Sequence, residues 1–313
     1  MGWLYHPPMT RHFLRDLDLS AAEQTLVLDR AAHMKQRPEA YAQAMRGKVL
    51  GMIFQKSSTR TRVSFEAGAI QMGGQAIFLS SRDIQIGRGE PITDTAKVLS
   101  RYLDILMIRT YKHEEVQGLA SASRVPVING LDDLLHPCQI LADLQTIKEN
   151  RGTLAGQTLV YVGDGNNMAH SMMLGGALAG VNVRIITPRE YAPKDEIVRE
   201  AQTAAKASGA KIEVCHDLGA VEGADVVYTD VWASMGQEEE QAKRVRDFSG
   251  FQVDGRLMKR AKPDAIFLHC LPAHRGEEVS AEVIDGPQSR VFDQAENRLH
   301  AQKALMTFLL ENR

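Results

Sequence analysis

The chain has 313 residues, 44% of them apolar and 24% charged, with a formal net charge of -2. That length suits two domains of about 150 residues, each able to bury a core, and the near-neutral balance speaks against a nucleic-acid binder, which needs a basic excess to offset phosphates. No apolar run approaches a membrane span, residues 1–18 lack the apolar middle of a signal peptide, and three widely spaced cysteines make no disulfide framework, so a cytoplasmic protein is expected.

In chain order, Ser20 and Glu23 form a capping box for a helix that should run to about Arg37, stopped by Pro38. The apolar run Val49–Phe54 reads as a buried strand. Lys56-Ser57-Ser58-Thr59-Arg60-Thr61-Arg62 follows, hydroxyls and cations without a glycine, and then helical spacing at Val63, Ala67 and Ile70. A strand that ends this way at a helix start is a seat for an anion. The first helical N–H groups lack partners, the macrodipole is positive there, and arginine adds a fork that matches two phosphate oxygens. The plainer alternative is an N-cap at Ser57, Ser58 or Thr59 followed by solvated arginines.

Gly73-Gly74 should end that helix, residues 76–79 read as a strand, and 80–93 as a polar loop longer than a connection needs. A helix is expected over 96–102, a strand over 105–108 with Arg109 at its end, a helix over 114–122 and a strand over 125–128. His136-Pro137-Cys138-Gln139 opens a helix reaching Glu149. Residues 152–157 look like a boundary, after which the beat restarts. Strands are expected over 158–162, 183–186, 212–215, 226–229 and 265–268. Helices are expected from 167 to 178, over 194–208 and 218–223, and, amphipathic, over 296–311.

This alternation indicates parallel sheets with helices on both faces, an α/β fold of two doubly wound domains. In such sheets ligands bind beyond the carboxyl ends of the strands. Ser58 to Thr61, Arg109, His136, Asn167, Asp230 and His269-Cys270 all fall just past strand ends.

Gly163-Asp164-Gly165-Asn166-Asn167-Met168 invites a dinucleotide reading, but Met168 stands where the third glycine belongs and Thr187-Pro188 where an acid should end the next strand. A polar ligand met by Asn166 or Asn167, or a tight turn, fits better. His269 and Cys270 are adjacent, and adjacent residues near a strand end point opposite ways, which disfavours a thiol–imidazole pair. His136, Cys138, His269, Cys270 and His274 lack zinc-ligand spacing. Glu238 to Arg246 reads as a solvated helix with i,i+4 pairs such as Glu239–Lys243. The first half thus offers a place for a phosphate dianion. The second offers an acid, an amide and the small-residue stretch Ser234-Met235-Gly236, suited to a substrate with an ammonium group. Together they suggest group transfer from an acyl phosphate to an amine.

Ser58-Thr59-Arg60-Thr61-Arg62, between Phe54 and Phe65-Glu66, together with His136-Pro137-Cys138-Gln139, resembles the aspartate and ornithine carbamoyltransferases. Asp230-Val231-Trp232-Ala233-Ser234-Met235-Gly236 and His269-Cys270-Leu271-Pro272 resemble the ornithine branch, and Ala295-Glu296-Asn297-Arg298 agrees. The resemblance implies a carbamoyl phosphate-binding domain (1–149), an ornithine-binding domain (150–290) and a C-terminal helix (291–313) returning to the first domain, with the active site in the cleft. It implies Ser58, Thr59, Arg60, Thr61 and Arg109 on the phosphate, His136 and Gln139 on the carbamoyl group, and Arg298 by its carbonyl. Asn167, Asp230, Ser234 and Met235 would hold the amino-acid end of L-ornithine, and Cys270 and Leu271 would lie by its reacting amine. The Gln85 loop would reach a neighbouring subunit's site in a homotrimer or a multiple of trimers. Arg109, His136, Cys270 and Asp230 are the expected catalytic residues. No metal or cofactor is called for. Aspartate, N-acetylornithine or putrescine as acceptor are the rival readings.

Overall fold

Ser20 Oγ accepts from the Glu23 N–H while Glu23 takes the Ser20 N–H at 2.8 Å, so the capping box seen in the sequence opens helix α1 (Ala21–Gln36). The computed structural model describes residues 10–233 and 240–312. The chain continues through β1 (Val49–Phe54), α2 (Thr59–Gln71), β2 (Gln75–Ser80), α3 (Ile92–Leu99), β3 (Ile105–Arg109), α4 (His113–Ala122) and β4 (Val127–Leu131). These strands make a parallel sheet in the order β2-β1-β3-β4. β3 and β4 are buried along their whole length: β3 is a central strand covered on both faces, and the edge strand β4 is covered by the segment around Phe13, which bridges to Ile128.

Helix α5 (Pro137–Arg151) leads to a second parallel sheet. Its elements are β5 (Thr158–Val162), α6 (Asn167–Ala179), β6 (Asn182–Ile186), α7 (Asp195–Ser208), β7 (Ile212–Cys215), β8 (Val226–Thr229), α8 (Gln241–Asp247), α9 (Gly255–Met258) and β9 (Ile266–His269). The strand order is β7-β6-β5-β8-β9. After α10 (Ala281–Ile284), the long helix α11 (Val291–Glu311) packs on α1, α2 and α5. One apolar core runs from Phe54 and Met107 through Leu141 and Met172 to Tyr161 and Leu305, joining the two sheets through α5, α6 and α11. Among the described residues no helix is long and apolar enough to cross a membrane.

Three expectations need correction. Helix α3 begins at Ile92 rather than 96, because Pro91 at its N-cap fixes the backbone for a helix start inside the presumed loop. Strand β4 begins at Val127 rather than 125, since Pro126 has no N–H to enter the ladder. Helix α11 starts at Val291 rather than 296 and is not amphipathic. Its polar residues Gln294, Asn297, Arg298 and Lys303 are buried with the apolar ones and satisfied by hydrogen bonds.

Candidate active site

Both sheets change direction beside their first strand. In the first, β1 lies between β2 and β3, and Phe54 is in register with Arg109; in the second, β5 lies between β6 and β8, and Val162 faces Thr229. At each such point the chains leaving neighbouring strands part in opposite directions and open a crevice at the carboxyl ends. The two crevices share a cavity of about 320 Å³ lined by Ser58, Arg60, Thr61, Arg109, His136, Asn167, Asp230, Cys270, Leu271 and Arg298.

At the first-sheet end, Ser58 caps α2, its Oγ accepting from the Thr61 N–H at 3.2 Å. The cap reading is therefore met, and it does not compete with the anion reading, since one helix start can serve both. Arg60 and Arg62 lie about 200° apart around the helix. Arg60 turns into the cavity, whereas Arg62 stays exposed, pairs with Glu66 at 3.3 Å and stacks 3.8 Å over Phe78. Three donors converge on the single hydroxyl of Thr61: Ser58 Oγ at 3.1 Å, Arg109 Nη1 at 3.3 Å and Arg298 Nη2 at 3.2 Å. A hydroxyl oxygen has two lone pairs, so this corner has donors in excess of acceptors. Burial, then the neighbouring Arg298 and Arg60, pushes the Arg109 guanidinium down to about 9. Burial and the same cations hold His136 well below the usual imidazole range, so it is neutral. A bound anion would relieve the repulsion among these groups. Arg298 Nη1 also donates to Gln139 Oε1 at 2.7 Å, which holds Gln139 behind the cavity lining.

At the second-sheet end, Asn166 caps α6 and its amide nitrogen reaches Asp230 Oδ2 at 3.4 Å. Asn167 donates to the Asp132 carbonyl at 2.7 Å, which ties this end to the loop before His136. The glycine fingerprint has a plain explanation. A Cβ on Gly165 would collide with the backbone of Ala192 and Pro193, so the chain's own backbone takes the space a pyrophosphate would need. Cys270 Sγ donates to Asp230 Oδ1 at 3.0 Å, and burial, reinforced by Asp230, pushes the thiol well above its usual range. Cys270 is thus a protonated donor and not a thiolate nucleophile. A ring nitrogen of His269 lies within 4.8 Å of the Cys270 sulfur and an Asp230 oxygen, closer than adjacency near a strand end suggests. Both nitrogens are engaged elsewhere: Nδ1 accepts from the Leu271 N–H at 2.8 Å, which leaves the Nε2 proton for Glu278 at 3.2 Å. Leu271 takes a left-handed φ of 60°, and its carbonyl accepts from Arg60 Nη2 at 2.6 Å across the cavity. Cys138 donates to the Asn129 carbonyl within the core, apart from the other residues weighed for zinc.

Several expected residues stand elsewhere. Thr59 is exposed and outside the lining. Gln85 is exposed and lines a separate pocket with Leu79, Ile84 and Val98. Ser234 and Met235 lie outside the described residues, as does Glu239 of the expected Glu239–Lys243 pair. The helix around 241–247 is not wholly solvated: Arg244 is buried, with Nη1 donating to Asp164 Oδ2 at 2.7 Å and to the Trp232 carbonyl at 2.8 Å. Lys56, Gln241 and His274 also line the cavity, beyond the residues the family resemblance implies. Lys56 carried a usable signal, being the third cation of the anion loop; its Nζ pairs with Asp133 at 2.8 Å. Nothing local marks Gln241 or His274.

Two parallel sheets whose switch points share one cavity, cationic at one end and carboxylate-bearing at the other, define a two-lobed α/β scaffold for joining an anionic and a cationic substrate. Residues 11–149 match the carbamoyl-P binding domain of aspartate/ornithine carbamoyltransferase, and residues 155–309 match its Asp/Orn binding domain. The chain belongs to the aspartate/ornithine carbamoyltransferase family. It is 59% identical to an ornithine carbamoyltransferase of Oceanobacillus iheyensis over 303 residues, 96% of this chain and 94% of that one. It is 56% identical to that of Methylococcus capsulatus, over 96% of this chain and 98% of the relative. The solved ornithine carbamoyltransferase of Pyrococcus furiosus superposes with a TM-score of 0.93 at 51% identity, covering 97% of this chain and 98% of that one.

Proposed function

We propose that the chain transfers the carbamoyl group of carbamoyl phosphate to the δ-amine of L-ornithine, giving L-citrulline and phosphate. The observation that carries this reading is the donor excess around Thr61, facing Asp230 and Cys270 across one cavity. In it, residues 1–149 hold carbamoyl phosphate, 150–290 hold ornithine, and 291–313 return a helix to the first domain. The N-terminus of α2 with Ser58, Thr59, Arg60, Thr61 and Arg109 takes the phosphate. His136 and Arg298 address the carbamoyl group, and Gln139, expected to do so directly, acts from behind the lining through Arg298. Asn167, Asp230, Ser234 and Met235 orient the amino-acid end of ornithine, and Cys270 with the Leu271 carbonyl receives its reacting amine.

The deprotonated δ-amine attacks the carbonyl carbon, forming the C–N bond. Negative charge develops on the carbonyl oxygen, where Arg109, neutral His136 and the Thr61 hydroxyl donate; such preorganised donors dominate acyl transfer. The intermediate collapses by breaking the carbon–oxygen bond to phosphate, which departs into the cationic corner, and the nitrogen loses its remaining extra proton to that phosphate. Holding both substrates in one cavity supplies much of the rest of the acceleration. The same reading includes a cytoplasmic homotrimer or multiple of trimers in which Gln85 completes a neighbour's site, and a place in arginine biosynthesis.

The test is one assay of the purified chain with carbamoyl phosphate and, in parallel, ornithine, N-acetylornithine, putrescine and aspartate. Carbamoylation of ornithine is expected to exceed the others by orders of magnitude. Preferential use of any other acceptor overturns the assignment.

A further inference from the structure

Behind the cavity lies a buried ring of four side chains on two packed helices. Gln139 and Asp143 are one turn apart on α5; Gln294 and Arg298 are one turn apart on α11. Arg298 Nη1 donates to Gln139 Oε1 at 2.7 Å. Gln139 Nε2 donates to Asp143 Oδ1 at 2.8 Å, and Gln294 Nε2 donates to the same oxygen at 2.6 Å. Gln294 Oε1 accepts the His269 N–H at 2.9 Å, and its nitrogen also meets the Tyr228 hydroxyl at 2.9 Å. Asp143 is 1% exposed, Gln139 1% and Gln294 0%, so solvent does not decide how these amides point.

An amide has a donor end and an acceptor end, and either can face a given neighbour unless something fixes its sense. Burial raises the Asp143 carboxyl to about 7, but its other oxygen, Oδ2, has no hydrogen-bond partner and can carry the proton, so Oδ1 accepts in either state. Both amides must therefore present nitrogen to it, and both carbonyl oxygens face outward. One oxygen meets the guanidinium of Arg298, the other the backbone N–H that opens the His269-Cys270-Leu271 segment. A reversed Gln139 would set an NH₂ against Arg298, donor against donor. A reversed Gln294 would leave the His269 N–H buried without an acceptor.

We propose that Asp143 and Gln294 are positioning residues shared by the two substrate ends: Asp143 sets the polarity of both amides, so that Gln139 holds Arg298 at the carbamoyl end while Gln294 holds the His269 backbone, and with it Cys270 and Leu271, at the amine end. The proposal rests on the assignment of those ends made above. Neither residue lines the cavity.

Three variants test it. Asp143→Leu removes the acceptor at similar size and is expected to lower kcat/KM for both substrates about 10- to 100-fold. Asp143→Asn keeps an acceptor oxygen and is expected to stay within about fivefold of wild type. Gln294→Met is expected to raise the ornithine KM about tenfold while leaving carbamoyl phosphate affinity, measured by calorimetry without acceptor, within about twofold. That split is one a merely structural role would not produce. It also remains readable if Asp143→Leu does not fold. The proposal is overturned by a folded Asp143→Leu with wild-type constants, by Asp143→Asn as impaired as Asp143→Leu, or by Gln294→Met with an unchanged ornithine KM. A wild-type chain that carbamoylated no ornithine would instead sink the acceptor assignment. Calorimetric comparison of wild type with Asp143→Leu would still decide the positioning role, a tenfold loss of carbamoyl phosphate affinity supporting it and equal affinity refuting it.

Discussion

At the end of the first sheet, Lys56, Arg60, Arg109 and Arg298 surround a helix N-terminus; at the end of the second, the charged group is the Asp230 carboxylate, partnered by a thiol and an amide. The two ends also differ in how they are built. The cationic end rests on one capped helix start, with Ser58, Arg60 and Thr61 placed by four consecutive residues. The carboxylate end is assembled from the tips of β5, β8 and β9, and no single segment specifies it. An anion can be gripped by orphan backbone N–H groups, which any helix start presents in fixed geometry. A cationic amine needs acceptors, and in the proposed site they are a carboxylate and a carbonyl brought together from the ends of separate strands. The donor corner is therefore legible as a motif, and the acceptor corner only as a constellation.

That contrast is testable, the largest effect first. Arg60→Ala removes a guanidinium from the cationic end while leaving the Ser58 cap intact. Its kcat/KM for citrulline formation should fall about 10²- to 10³-fold with the circular dichroism spectrum unchanged. Activity within threefold of wild type, a bound set by ordinary surface substitutions, would mean that the backbone alone holds the anion. Asp230→Asn probes the other end. It should raise the ornithine KM about 10- to 100-fold and leave the carbamoyl phosphate KM nearly unchanged. Equal losses for both substrates would show that the ends are not separable.

The smallest effect concerns Asp16, which lies in neither end but connects through Ser171 to the backbone of His136. It accepts from Ser171 Oγ of α6 at 2.8 Å, and that hydroxyl accepts the His136 N–H at 2.9 Å. Burial raises the Asp16 carboxyl to about 7. The folded chain thus keeps a proton that the unfolded chain, at about 4, releases. The stability from this group is full below about pH 4 and is lost as pH rises through about 7. Asp16→Asn should flatten that part of the fall in melting temperature between those limits, with kcat altered less than in either variant above. A melting profile parallel to wild type would show that Asp16 titrates normally.

Much of the framework was readable from local pattern. Strands 158–162, 212–215 and 226–229 coincide with β5, β7 and β8, because short apolar runs bounded by turn residues admit few other structures. Two of the misreadings share a cause, apart from the proline-set boundaries of α3 and β4. At α11 and around Arg244, polar and charged residues suggested solvent-facing helices, yet both bury them against distant partners. Periodicity reports which residues share a helix face; it does not report what that face meets.

By itself the sequence determined the parallel α/β beat, the capped helix start at Ser58 to Thr61, and the polar residues waiting past the strand ends. Those are consequences of backbone geometry and of hydrogen bonds within a few residues. Only the tertiary structure decided that Arg298 from the last helix would share the Thr61 hydroxyl with Arg109, that Arg60 would turn inward and meet the Leu271 carbonyl, and that Asp143 would orient two amides at once. Those contacts join residues far apart in the chain. Those of Arg298 and Asp143 exist because α5 and α11 bury polar faces that must be satisfied where water cannot reach.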